Sequence, residues 1–363
     1  MGGVGAGGGG PDRPRGAPGR ARRTGRRRRA RRRSRGVMMD RTTPGVSVVI
    51  PTYNRARRVA RAVRSVLEQT RPAEEVIVVD DGSTDGTAGA IRREFADAVR
   101  LIERPNAGPS AARNTGVRAA RHDLIAFLDS DDAWRPDKLE RQRPVMDDPG
   151  VVLAATNWVG GGDRPPLGFA DLSLEGEVVV LEAPLRHLSR FSGHRIVLPT
   201  WLVRRDALLA VGGFDERLRV GEDNRALFRL GFEGKIALVT APLTVLSDER
   251  DAVQLTRADE VDHRRAAAAA MAEVFAEVYT RAADEPKDVQ AALARLLAYY
   301  LRAQSELAAV DGRAWLARRR ALETLALRPR GRDAAIALAA LAAPGLLARR
   351  TRRKHAHNGA RTP

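Results

Sequence analysis

Cysteine is absent from the 363 residues, which excludes disulfides and thiolate metal sites. Aromatic residues are scarce, at 4%, too few for the stacking platforms that hold single-stranded nucleic acid. No apolar run reaches the roughly 18–20 residues of a bilayer-spanning helix. The longest, Ala334 to Ala348, is interrupted by Pro344-Gly345. An even charge bias is missing as well. The net charge of +18 comes wholly from the two ends, +12 from residues 1–41 and +6 from residues 349–363, so residues 42–348 are neutral overall. A neutral body lacks the basic face of a nucleic-acid-binding domain, and no specific nucleic-acid partner is expected.

The first 36 residues are rich in Gly, Pro and Arg and hold almost nothing to bury. Composition predicts disorder for residues 1–41, and again for the basic tail 349–363. The composition changes abruptly near Val37, which makes Met38 or Met39 a candidate start of the translated protein. The glycines at 5–10 fit a GxGxxG pattern, but no strand precedes them and they form no phosphate loop. The apolar segment 334–348, flanked by Arg349, Arg350, Arg352, Arg353 and Lys354, reads either as a last core helix with a solvated tail or as an interfacial helix. The expected location is cytoplasmic, with peripheral contact at the inner face of the membrane as the alternative that segment offers.

Against these absences stands one alternating stretch. Val46 to Ile50, Val76 to Val79, Val99 to Ile102 and Leu124 to Leu128 are short apolar runs separated by helical patterns. Such alternation predicts βαβ units and a parallel sheet. Polar clusters follow the runs directly: Thr52-Tyr53-Asn54, Asp80-Asp81 and Asp129 to Asp132. They should gather along one sheet edge, where open α/β sheets bind ligands. The last cluster, Asp129-Ser130-Asp131-Asp132, puts three carboxylates within four residues. Like charges crowded in this way require a cation to stay ionised together. A hard divalent ion, Mg²⁺ or Mn²⁺, fits oxygen ligands and recruits phosphates; an acidic turn before the helix near Pro136 is the simpler reading. Residues 252–330 read as packed amphipathic helices with no chemistry of their own.

With these elements placed, residues 46–250 resemble the family 2 glycosyltransferases, inverting enzymes of the GT-A fold. The resemblance is carried by Val48 to Asn54, Val78 to Thr87, Asn106 to Gly116, Phe127 to Trp134, Gly212-Gly213-Phe214-Asp215-Glu216 and Glu222-Asp223. It implies an α/β fold with a Rossmann-like mixed sheet flanked by helices over 42–250, followed by a helical extension over 251–348. It also implies transfer of one sugar from a nucleotide-diphosphate sugar, a UDP-sugar by preference, to an acceptor hydroxyl with inversion. The acceptor in such enzymes is a surface glycan or a lipid-linked glycan.

The resemblance assigns roles residue by residue. Pro51, Thr52 and Tyr53 line the nucleotide pocket; Tyr53 alone would read as ordinary packing. Asp81 accepts a hydrogen bond from the base and Asp80 shapes the turn, although Gly82-Ser83 beside them also suits plain turn and cap residues. Arg113 sits early in a helix, where its charge opposes the dipole, and faces a diphosphate; a surface arginine is the plainer alternative. Asp129 and Asp131 contact ribose and metal, and Asp131 or Asp132 ligates the ion. Asp223 is the general base, with Glu222 as the alternative; a helix-capping acid explains the pair equally on spacing alone. Tryptophan is absent from residues 231–300, so the QxxRW motif of processive members is missing, which argues for single-sugar transfer. Two other readings remain at this point: a nucleotidyltransferase, for which no triphosphate clamp is found, and a non-enzymatic nucleic-acid binder using the arginine tails.

Overall fold

The computed structural model describes residues 44–160, 168–169, 174–190, 196–247, 260–327, 329 and 331–359. The basic segment 1–41 and residues 360–363 lie outside the described residues. The four apolar runs form strands β1 (Val46–Thr52), β2 (Glu75–Asp80), β3 (Arg100–Glu103) and β4 (Leu124–Phe127). β1 lies between β2 and β4, with β3 outside β2, and all of these pairings are parallel. The helices between them are α1 (Val59–Leu67), α2 (Thr87–Phe95) and α3 (Pro109–Ala119). β1 and β4 are buried along their whole length, as a parallel sheet covered on both faces requires.

Beyond β4 the chain changes register. After β5 (Ala133–Trp134) and α4 (Lys138–Gln142) come β6 (Val151–Gly160), β7 (Val178–Leu181), α5 (Pro184–Leu188), β8 (Trp201–Arg204), α6 (Arg205–Ala210), α7 (Glu222–Glu233) and β9 (Lys235–Leu246). β8 joins the parallel half by running antiparallel to β4 and to β6. β9 pairs in parallel with β6, and in antiparallel with β7 and β5. The sheet order is β3-β2-β1-β4-β8-β6-β9-β5, with β7 on β9. The result is the mixed sheet expected, with its antiparallel half in the Gly/Pro-rich region whose local pattern was least regular.

The helical region does not stand apart. Residues from Thr42 onward form one compact unit, and α8 (Glu260–Arg281) and α9 (Lys287–Val310) share the core of the sheet's helices. Phe275 of α8 packs edge-on to Phe228 of α7, with ring centroids 5.1 Å apart. The remaining helices are α10 (Ala314–Ala326), α11 (Gly331–Ala342) and α12 (Pro344–Gly359). The apolar segment 334–348 is thus two helices, because Pro344 cannot continue α11 but suits the first turn of a new helix. The boundary at 349 falls inside α12: arginine and lysine are good helix formers, and the helix runs on through them to Gly359.

Where α3 crosses β1, a Cβ added at Gly116 would lie 2.3 Å from Val49 Cγ1. Gly116→Ala is expected to destabilise the fold by about 1–3 kcal/mol through overpacking, read as a lower denaturant midpoint. An unchanged midpoint would mean that α3 and β1 are not packed this closely.

Candidate functional site

Parallel pairing puts the carboxyl ends of β1, β2 and β4 on one edge. Pro51-Thr52-Tyr53, Asp80-Asp81 and Asp129 to Asp132 therefore meet there, and α3 and α7 bring Arg113, Glu222 and Asp223 to the same place.

Arg113 holds these parts together. Its guanidinium is buried and donates to Asp129 Oδ1 at 2.9 Å and to Glu222 Oε1 at 2.8 Å. Burial disfavours its charge, but Asp129 and then Glu222 more than compensate, so its pKa lies above the ordinary arginine range. The counter-charge that its place in α3 calls for comes, in this structure, from two carboxylates. Phe214 lies beneath, with its ring centroid 5.9 Å from the guanidinium carbon, and packs edge-on to Phe127 of β4 at 5.2 Å. Asn114 clamps the Phe214 turn from both sides. Its Nδ2 donates to the Phe214 carbonyl at 2.8 Å, and its Oδ1 accepts the Phe214 amide at 3.0 Å. The Gly-Gly-Phe-Asp motif thus serves as the floor under Arg113.

Burial, followed by the charge of Asp129, holds the Asp131 carboxyl above the ordinary range. Asp132 is held well above it for the same first reason, then by Asp129 and Asp131. Asp131 pairs with Arg55 at 3.4 Å, and its carbonyl accepts from Arg61. Asp132 accepts the Ser247 amide at 2.9 Å, from just beyond β9. Among the described residues no three His, Cys, Asp or Glu converge as a closed metal cage. The donor set fits a hard cation held by one or two carboxylates, with the rest of its shell left to phosphate and water.

On the β1–β2 side the loops are latched. Asn54, in left-handed conformation at φ 52°, accepts the Thr84 amide at 2.8 Å while its own amide donates to Ser83 Oγ. Asp80 accepts the Ser83 amide at 3.0 Å. Asp81 is buried and accepts the amides of Ala107 at 3.2 Å and Gly108 at 2.7 Å, so much of its hydrogen-bonding capacity goes to the loop before α3. Pro51 and Thr52 are buried, whereas Tyr53 is 40% exposed. Thr52 Oγ1, Ser110 Oγ and Arg113 Nε are buried without a hydrogen-bond partner, the condition of polar atoms that a ligand completes.

Helix α7 starts from Gly221 at φ 84°. Glu222 points at Arg113, and its carboxyl is pushed up to about 6 by burial and then by the Asp223 charge, against the pull of Arg113. Asp223 Oδ1 accepts the Asn224 amide at 2.7 Å, and among the described residues Asp223 makes no ion pair. Sequence reasoning missed what holds this helix. The buried Arg225 pairs with Asp215, with Glu273 at 2.9 Å and with Glu277 at 2.9 Å, and Arg229 also reaches Glu277. A Cβ at Gly221 would lie 2.8 Å from Met271 Sδ of α8. The α8 acids are set at one-turn spacing toward α7, a signal visible only once the two helices are known to touch. The three arginines near Asp131 (Arg55, Arg58 and Arg61) were likewise not singled out.

Residues 47–209 match the family model described as Glycosyl transferase family 2. The succinoglycan biosynthesis protein ExoO of Rhizobium meliloti is 35% identical over 190 residues, covering 50% of this chain and 53% of that protein. The chain spans about half the length, or less, of the first curated relatives it matches. Among solved structures, S. aureus TarS 1–349 in complex with UDP-GlcNAc aligns with a TM-score of 0.61 at 18% identity, over 85% of this chain and 92% of that one. The mannosyltransferase PcManGT from Pyrobaculum calidifontis, in complex with GDP-Man and Mn²⁺, aligns with a TM-score of 0.50 at 22% identity, over 84% and 83%. The fold is that of the GT-A glycosyltransferases.

Two predictions follow from the charges. An acid whose folded pKa is raised loses stability as pH climbs through the interval between its unfolded and folded values. Asp132→Asn keeps an acceptor for Ser247 and removes that loss. In EDTA at neutral pH its melting temperature is expected to exceed that of the unaltered protein by a few degrees, with the gap closing near pH 4; a lower melting temperature at neutral pH would contradict the crowding described. Arg225→Met removes the buried guanidinium that joins Asp215 to the partly exposed Glu273 and Glu277, and is expected to cost about 1.5–3 kcal/mol in urea unfolding, the range of hydrogen bonds to charged groups. A cost under about 1 kcal/mol, the range of exposed ion pairs, would show that the α7–α8 ion pairs are solvated.

Proposed function

We propose that this chain, which carries a family 2 glycosyltransferase domain over residues 47–209, transfers a single sugar from a nucleotide-diphosphate sugar to an acceptor hydroxyl with inversion. The observation that carries this reading is the meeting of Asp129, Asp131 and Asp132 with Asp223 at one sheet edge, joined through Arg113 and Glu222. Asp223 is the general base. It takes the acceptor proton as that oxygen bonds to the anomeric carbon, and the bond from that carbon to the diphosphate breaks on the opposite face. Glu222 keeps its charge on Arg113 and orients the start of α7, a supporting role beside Asp223.

The donor lies over Pro51, Thr52, Tyr53, Asp80 and Asp81, with Asp129 toward the ribose. Asp131 and Asp132 are the residues that would hold Mg²⁺ or Mn²⁺. Such an ion supplies Lewis-acid neutralisation of the charge left on the departing diphosphate. A UDP-sugar is the favoured donor. The acceptor is a surface glycan or a lipid-linked glycan, and the reaction belongs to polysaccharide synthesis, a reading supported by the likeness to ExoO. The protein acts in the cytoplasm or from the inner face of the membrane; no helix among the described residues is long and apolar enough to cross one.

The test is nucleoside diphosphate release from a panel of UDP-, GDP- and dTDP-sugars, in Mn²⁺ or EDTA, with calorimetric donor binding run in parallel. One donor is expected to turn over with metal. Asp223→Asn is expected to lower that rate about 10²–10⁴-fold while donor binding persists, and Asp131→Ala to weaken metal-dependent binding itself. Full activity of Asp223→Asn would remove it as base, and pyrophosphate as product would replace the reading with nucleotidyl transfer.

A further inference from the structure

The last three helices bury alanine and expose large residues. Ala317 and Ala321 of α10, Ala337 and Ala340 of α11, and Ala348 of α12 form a small core with the end of α9. On the outside, Trp315 is 71% exposed, Leu322 59%, Leu338 56% and Leu346 66%. A folded surface scatters single exposed leucines, but these have a common setting. Trp315, Arg318, Arg319 and Leu322 follow i, i+3, i+4, i+7 spacing and share one face of α10. Arg319 lies over the Trp315 ring at 5.6 Å. Arg318 Nε donates to the Leu341 carbonyl at 3.2 Å, which sets this stripe beside the α11–α12 corner that carries Leu338 and Leu346. Charge is as one-sided as the exposure: residues 313–359 hold twelve Arg and Lys against two acids, a net +10.

We propose that the outer face of α10–α12 is a docking surface for an anionic lipid bilayer. Trp315, Leu322, Leu338 and Leu346 enter the headgroup boundary while the interleaved arginines meet lipid phosphates. Apolar side chains spaced singly between cations suit a fluid surface that closes around each one. The excess of cations is complementary to anionic headgroups, and an indole with a polar edge is at home in that boundary. The inference is independent of the sugar-transfer reading.

The test uses the full chain with vesicles of phosphatidylglycerol and phosphatidylcholine, or of phosphatidylcholine alone, read by co-sedimentation and tryptophan emission. Trp134 and Trp201 are buried, Trp158 is half-buried, and Trp315 is the exposed reporter. Co-sedimentation and a shift of emission to shorter wavelength are expected with the anionic vesicles only. Trp315→Phe should still bind and lose the shift. Leu322→Glu with Leu346→Glu should weaken binding by about tenfold or more, with circular dichroism unchanged.

Three results would overturn the proposal. The first is no binding to anionic vesicles. The second is binding that charge insertion leaves unchanged and that brings no emission shift, which assigns it to the arginines of residues 1–41. The third is emission already shifted in the free protein and dependent on its concentration, which assigns the face to a second copy of the chain.

Discussion

A buried guanidinium is the constraint from which the rest of the site follows. Removing a cation from water costs several kcal/mol unless its partners are well placed, so Arg113 is tolerable only where Asp129 and Glu222 both reach it. Satisfying that one group fixes the distance from the end of β4 at Phe127 to the start of α7 at Glu222, elements 95 residues apart in sequence. It also separates two carboxylates that would otherwise repel. The surrounding motifs serve this arrangement: Asn114 holds the Phe214 turn, and the Phe214 ring lies between the guanidinium and β4.

The same logic extends outward. α7 carries carboxylates at its first turn, which its dipole favours, and further along it turns two arginines toward α8. A helix tied at its start to α3 and along its length to α8 has little freedom to tilt. The helices after residue 260 are therefore part of what aims the acidic pair. Over residues 42–348 the charges cancel in the total, and at the places where position matters they are matched pairwise.

Much of this was legible in the sequence. The four apolar runs with polar residues at their ends announce a parallel sheet, and Asp80, Asp81 and Asp129 to Asp132 fall at strand ends for that reason alone. The rest depends on contacts that no local pattern records. Lys138 reads as a solvated helix residue, yet it is fully buried, with Nζ 4.0 Å from the Trp134 ring and 2.6 Å from Gln142 Oε1. Arg225 reads as a helix-surface charge and is equally enclosed. The two acids that Arg113 meets lie 16 and 109 residues away, so its neighbours in sequence do not disclose them. Buried charge is invisible to periodicity because its cost is met by partners distant in the chain. β8 and β9 escaped detail for a related reason: their pairing runs against the order of the parallel half.

One hydrogen bond also carries information about time. The Ser247 amide that caps Asp132 belongs to a residue 115 positions further along the chain. At a translation rate of about 5–20 residues per second, the acid run leaves the ribosome roughly ten seconds before that amide exists, and the α8 acids follow later still. During that interval the nascent parallel half holds crowded carboxylates with neither Glu222 nor Ser247 to organise them. The edge that gathers Asp129, Asp131 and Asp132 is begun with the parallel half and completed only once residue 247 has been made.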